Sequence, residues 1–116
     1  NAMALTKETV VDKIEVLEKG QVQVRTATRV LEDGVELSSS FHRHVVEPQV
    51  RSGYVKGVAE VKDADGKVTT AAVTANAGTW AATDVTGEDA RVAAVCTASW
   101  TAEVIAAYKA MVVAGD

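Results

Sequence analysis

From Gln21 to Val30 the chain alternates strictly. Val22, Val24, Thr26, Thr28 and Val30 fall on one parity, and Gln21, Gln23, Arg25, Ala27 and Arg29 fall on the other. Successive side chains of a strand point to opposite faces, so this pattern reads as a strand with one face buried and one wet. It commits the first half of the chain to an antiparallel sheet. Upstream, Ile14 and Val16 alternate in the same way with Lys13 and Glu15. The intervening Glu18-Lys19-Gly20 suits a three-residue hairpin loop with Gly20 in the left-handed region. That loop pairs Val16 with Val22 and Ile14 with Val24. A two-residue Lys19-Gly20 loop would instead set Glu15 against Val24, so matched apolar faces select the longer loop. Downstream, Asp33-Gly34 between Leu31-Glu32 and Val35-Glu36 is a two-residue hairpin signal. Counting outward from it pairs Val30 with Leu37, Thr26 with Phe41 and Val22 with Val45. The opposite face then pairs Arg29 with Ser38, Arg25 with His42 and Gln23 with His44. Pro48 lacks an N–H and ends this strand.

The segments Tyr54 to Val61 and Lys67 to Thr74 favour strand, and Asp63-Ala64-Asp65-Gly66 between them reads as a four-residue turn. Asn76 to Asp84 reads as a loop anchored by Trp80. Thr86 followed by Asp89 resembles a capping box and predicts a helix start, with Val92, Val95, Cys96 and Ser99 at helical spacing. Thr101 predicts the start of a second helix, with Glu103 near its positive end. There Val104, Ile105, Tyr108, Met111 and Val112 make one apolar stripe, expected to pack on the sheet. The fold class is therefore α+β: an antiparallel β-meander of three N-terminal strands plus a second hairpin, packed with two short C-terminal helices. One domain is expected over residues 3–116. Asn1-Ala2 before Met3 reads as a remnant of tag removal.

Hydrophobic residues make up 47% of the chain but aromatics only 4%, and the apolar mass is mostly Ala and Val. Burial contributes roughly 25 cal/mol per Å² of apolar area, so small side chains build a thin core. A homo-oligomer, with a dimer favoured, would supply the missing burial. The net charge of −4 disfavours a dedicated nucleic-acid binder. Cys96 is the only cysteine, which precludes an intrachain disulfide and suits a small buried hydrophobe. No apolar run approaches the roughly 20 residues of a membrane span, so no membrane partner is expected.

Few residues suggest chemistry. His42 and His44, one residue apart in a strand, point the same way and could share a metal ion, with Cys96 as a conceivable third ligand. Arg25, expected opposite His42, would repel a cation, and no acid is placed to complete the set. Asp63-Ala64-Asp65-Gly66 resembles half of a calcium loop, but Lys67 follows the glycine and the flanks are not helical, so a tight turn is expected. Ser38, Ser39 and Ser40 near His42 lack an orienting acid and the geometry of a nucleophile–base pair. No glycine-rich phosphate loop is present. The expectation is a non-enzyme with no catalytic residue, metal or cofactor. One feature remains: Arg25, Arg29, His42 and His44 are predicted to share a strand face, a local basic spot that could meet an acidic partner or nucleic acid.

Four segments also carry a family resemblance. They are Val10-Val11-Asp12-Lys13-Ile14-Glu15-Val16-Leu17-Glu18, Gln21-Val22-Gln23-Val24-Arg25, Leu31-Glu32-Asp33-Gly34-Val35-Glu36 and Phe41-His42-Arg43-His44. Together they resemble small uncharacterised proteins of tailed bacteriophages and prophages, encoded in the structural-gene region near tail genes. Glu88-Asp89-Ala90-Arg91-Val92 and the segment from Trp100 to Tyr108 are similar too, although the family often has Pro where this chain has Ala102. The resemblance covers residues 5–48 and 84–110, and residues 50–83 look like an insertion. It implies a non-enzymatic, tail-associated structural or assembly protein. Such a protein would be made in the host cytoplasm, enter the virion and act through other phage structural proteins. It brings no known catalytic or binding residues with it. Self-association is expected through a strand edge or through Tyr108, Met111 and Val112.

Overall fold

The computed structural model describes residues 4–116, so the reading of Asn1-Ala2 and Met3 lies outside the described residues. Three long strands, β1 (Leu5–Val16), β2 (Val22–Glu32) and β3 (Val35–Val46), form an antiparallel sheet in the order β1-β2-β3. The chain then runs out and back as a second hairpin. Its root is β4 (Gln49–Ser52) against β7 (Thr79–Ala82), and its tip is β5 (Val61–Lys62) against β6 (Val68–Thr70). Helices α1 (Ala90–Ser99) and α2 (Ala102–Ala114) complete the α+β fold.

The first turn forms as its sequence dictates. Val16 faces Val22 and Ile14 faces Val24. Leu17 N–H donates to Gln21 O at 2.9 Å across the loop, and Gly20 has φ +92°. At the second turn Asp33 and Gly34 both have positive φ, 49° and 83°, the backbone of a type I′ hairpin. Asp33 also exchanges hydrogen bonds with Ala4, which holds the start of β1 against the turn.

Two β-bulges set which residues face the helices. In β1 the register slips between Val11 and Lys13, leaving Asp12 without a partner. Val11 and Ile14, of opposite parity, therefore both pack against the core. In β3 the register slips between the pairs Leu31↔Glu36 and Val30↔Ser38, so Leu37 is the extra residue. Every pair beyond it is displaced by one from the count outward from Asp33-Gly34: Val22 meets Val46, Val24 meets His44 and Thr26 meets His42. The unbulged register would have set Arg43 opposite Val24 under α1. An unpaired charge there would cost several kcal/mol, and the bulge turns it outward.

The core is small. Val22, Val24, Val46, Val92 and Cys96 are buried together, flanked by Val11, Ile14, Val85, Val95 and Trp100. Helix α1 supplies Val92 and Cys96 at i and i+4, as their spacing implies. Its cap is not Thr86, however. Asp84 accepts both the N–H and the hydroxyl of Thr86, so that side chain is already engaged. Asp89 accepts from Arg91 N–H and Val92 N–H instead and opens the helix. Thr101 caps α2 as expected, accepting from Val104 N–H.

Helix α2 does not lie across the meander. It packs on β4 and on the loop around Gly20. The stretch expected to be a loop around Trp80 contains β7, paired Arg51↔Trp80 and Gln49↔Ala82. Its Trp-Ala-Ala sequence has no alternation of its own, and the partner strand decides the structure.

Gly20 joins all of these parts. A Cβ there would lie 2.6 Å from Val104 Cγ1, 2.9 Å from Pro48 Cγ and 3.3 Å from Trp100 Cδ1, and the Gly20 carbonyl accepts the Trp100 indole N–H at 2.7 Å. Gly34, by contrast, has open space around it. Substituting Ala at Gly34 should therefore cost only the left-handed backbone strain, about 1 kcal/mol. Gly20→Ala adds overpacking and should cost about 2–4 kcal/mol. Urea unfolding followed by circular dichroism measures both, and equal losses would show that the Gly20 junction can yield.

Candidate functional site

The bulges redistribute the residues expected to form one basic face. Arg25 and Arg29 lie on the sheet face turned away from the core, whereas His42 and His44 pair with Thr26 and Val24 on the other face. The shared face expected from the sequence does not exist, because the extra residue Leu37 inverts the parity of β3 beyond it.

On the outward face three cations instead stand in one row across the strands, with Lys13 beside Arg25 and Arg25 beside Arg43. Like charges at this spacing repel. Carboxylates from β1 answer them. Arg25 Nε and Nη2 donate to the two oxygens of Asp12 at 2.9 and 2.8 Å, a bidentate pair made by the bulged residue. Lys13 Nζ lies 2.7 Å from Glu15, and Arg29 Nη1 lies 2.8 Å from Glu8. The Arg25 guanidinium also sits 4.5 Å from the centre of the Phe41 ring. Hydrogen bonding to Arg25 holds the Asp12 carboxyl below its ordinary range and pushes the guanidinium's pKa up. Among the described residues Arg43 is the member of the row without an ion pair. A shallow groove of about 230 Å³ runs beside it, lined by Lys13, Gln23, Arg25, Arg43, His44 and Val45 among others. This face is largely neutralised from within.

The histidine face is also occupied. The His42 and His44 rings stack with centroids 6.3 Å apart, and His44 Nε2 meets Glu88 Oε1 at 2.5 Å, just before α1 begins. An acid does approach the pair, which the sequence register could not place. Even so, among the described residues no group of three or more His, Cys, Asp or Glu could hold a metal ion. Cys96 is fully buried, and burial pushes its thiol pKa up, away from a reactive thiolate. The Asp63 carboxylate is tied to the N–H groups of Asp65 and Lys67 within its own turn. Ser38, Ser39 and Ser40 are exposed on β3.

The helical stripe is partly consumed inside the chain. Tyr108 is buried, and its ring meets Trp80 edge-on at 6.3 Å. Burial, with a hydrogen bond to Glu47, pushes its phenol pKa up to about 12. Met111 is exposed, and Val112 is half-buried. Beside them lies a cluster that sequence reasoning missed. Arg51 stacks over Tyr54 at 4.1 Å and Trp80 at 5.2 Å. It also donates two hydrogen bonds to Asp116, at 2.8 and 3.0 Å, and a third to Ala77 O at 2.8 Å. This clamp fastens the root of the second hairpin to the end of α2. Its members are far apart in sequence, so no local signal announces it. The Asp12 bulge did leave a trace, because apolar parity changes between Val11 and Ile14.

The depressed pKa of Asp12 fixes a sign. Its contribution to stability is present above the ordinary carboxylate value of 3.8 and is lost as pH falls through the lower folded value. Asp12→Asn should therefore lower the melting temperature at about pH 7 and narrow its gap to the parent protein in acid. Thermal melts across that range measure the gap. A gap that does not change with pH would show that the Arg25 pair is not its source. Comparison with known protein families, curated proteins and solved structures finds no match to this chain.

Proposed function

We propose that this chain is a non-enzymatic structural or assembly protein of a tailed phage or prophage, tail-associated and acting by protein–protein contact as a homo-oligomer. The phage context comes from the sequence resemblance. The assembly reading is supported by shape. The radius of gyration is 22.7 Å, where a compact chain of this length has about 13 Å. The molecule extends 86 × 35 × 21 Å. A single observation carries the reading: the chain exposes 7941 Å², where a folded monomer of its mass exposes about 6,000 Å². The excess comes from strands that leave the small core. Residues 35–43 and 52–77 are exposed throughout. Large apolar side chains there meet water, among them Val35, Leu37 and Phe41. Monomers seldom carry such surfaces uncovered.

The alternative of a binding module built on Arg25, Arg29, His42 and His44 has less support. Those side chains lie on two faces, and Arg25, Arg29 and His44 already hold carboxylates.

Light scattering coupled to size exclusion tests the reading. The expected result at tens of micromolar is a multiple of 12.1 kDa, a dimer or higher, with an interface above about 1,000 Å². A mass of 12.1 kDa at that concentration would overturn it.

A further inference from the structure

We infer that the hairpin between Ser52 and Thr79 is an assembly arm, whose valine row packs against the same row of a second copy of this chain. The inference rests on the assembly reading above and names its surface.

The arm is not an ordinary β-ribbon. Between Ser52↔Thr79 and the tip, where Lys62 pairs with Val68 after a register shift, its pairs are Val55↔Asn76, Val58↔Val73 and Val61↔Thr70, so paired positions recur every third residue. The middle two pairs exchange both backbone hydrogen bonds, at 2.9 to 3.0 Å. In a regular antiparallel ladder the bonded pairs recur every second residue on one face, and the non-bonded pairs between them point to the other. With a three-residue repeat each pair occupies an equivalent position, so its side chains leave the ribbon on the same side. That side carries Val55, Val58 and Val61 on one strand and Thr70, Val73 and Asn76 on the other.

Among the described residues nothing covers this row. Val55, Val58, Val61 and Val73 are between 41% and 50% exposed. The residues between the valines keep the ribbon slim. Gly57 approaches Ala75 so closely that a Cβ at 57 would lie 2.9 Å from the Ala75 Cβ. From Val68 to Thr83 there is no charged residue. A two-stranded ribbon alone in water is marginal, and a long uncharged edge is a template for another chain.

Area and charge select a second copy as the occupant. The chain exposes about 1,900 Å² more than a compact monomer of its mass. A standard interface takes only about 800 Å² from each partner, so the excess suits the larger interfaces of obligate homo-oligomers. The arm's charges balance, with Lys56, Lys62 and Lys67 against Glu60, Asp63 and Asp65. It therefore selects neither an acidic nor a basic partner, and a second copy meets it without net repulsion. The Arg51 clamp to Tyr54, Trp80 and Asp116 anchors the root of the arm.

Two variants of the full chain test this. Val58→Cys should cross-link to a species of twice the chain mass with a short bis-maleimide. The parent protein should not, because its one thiol, Cys96, is buried. Val58→Asp with Val73→Asp places charges in the row. It should raise the dissociation constant about a hundred-fold or more and reduce the scattering mass to 12.1 kDa with an unchanged circular dichroism spectrum. An oligomeric parent whose Val58→Cys variant fails to cross-link would overturn the arm while leaving the assembly reading intact. So would an oligomer whose mass is unaffected by the two aspartates. A monomeric parent protein would overturn both.

Discussion

The close approach of four chain segments at Gly20 is the constraint on which the described fold depends. The first hairpin loop, Pro48 at the end of the meander, Trp100 between the helices and Val104 on α2 converge on a position with no side chain. Glycine is required there twice over, for a left-handed backbone and for space. The Trp100 indole makes the junction directional by donating to the Gly20 carbonyl, which brings α2 beside β4 and leaves the meander to α1. The core is thin because its members are mostly valines, so a few well-placed contacts at this junction carry a large share of the tertiary organisation.

The two bulges determine what kind of surface the sheet presents. Asp12 steps out of the ladder and receives Arg25 in a bidentate pair, and the step brings Val11 and Ile14 to one side. Leu37 steps out of β3, turning Arg43 outward and bringing His44 to Glu88 at the foot of α1. Each bulge keeps a charge away from apolar surroundings at the cost of one unpaired residue. The result is a face whose cations are mostly answered by carboxylates of the neighbouring strand. Exposed pairs of this kind contribute little to stability.

The described chain divides into a part that buries its apolar side chains and a part that does not. Around Gly20, Val22 and Val92 packing is complete, and no buried side-chain nitrogen or oxygen lacks a partner among the described residues. Along the far meander and the second hairpin, valines and Phe41 remain in water. The apolar side chains of this composition, mostly alanine and valine, are small and leave these segments uncovered. The self-association proposed above would complete such a fold by covering those side chains. In this reading the clamp of Arg51 between Tyr54 and Trp80 fixes one arm to the helical layer.

By itself the sequence determined most of what depends on near neighbours. The alternation from Gln21 to Val30, the left-handed Gly20, the Asp33-Gly34 turn, the Asp63–Gly66 turn and the Thr101 cap all act within a few residues, and all occur where local chemistry requires them. Tertiary structure decided what depends on partners distant along the chain. Thr79–Ala82 became a strand because Gln49–Ser52 offered an edge. The Thr86 cap, by contrast, was lost to a near neighbour: Asp84, two residues away, holds Thr86, and Asp89 caps the helix instead. Arg25 and Arg29 parted from His42 and His44 because a register shift of one residue inverts a strand's faces, and only the helix above the sheet makes one inversion cheaper than the other. A bulge costs little locally, whereas a buried arginine costs several kcal/mol. That balance was struck in the packed core, beyond the reach of any local pattern.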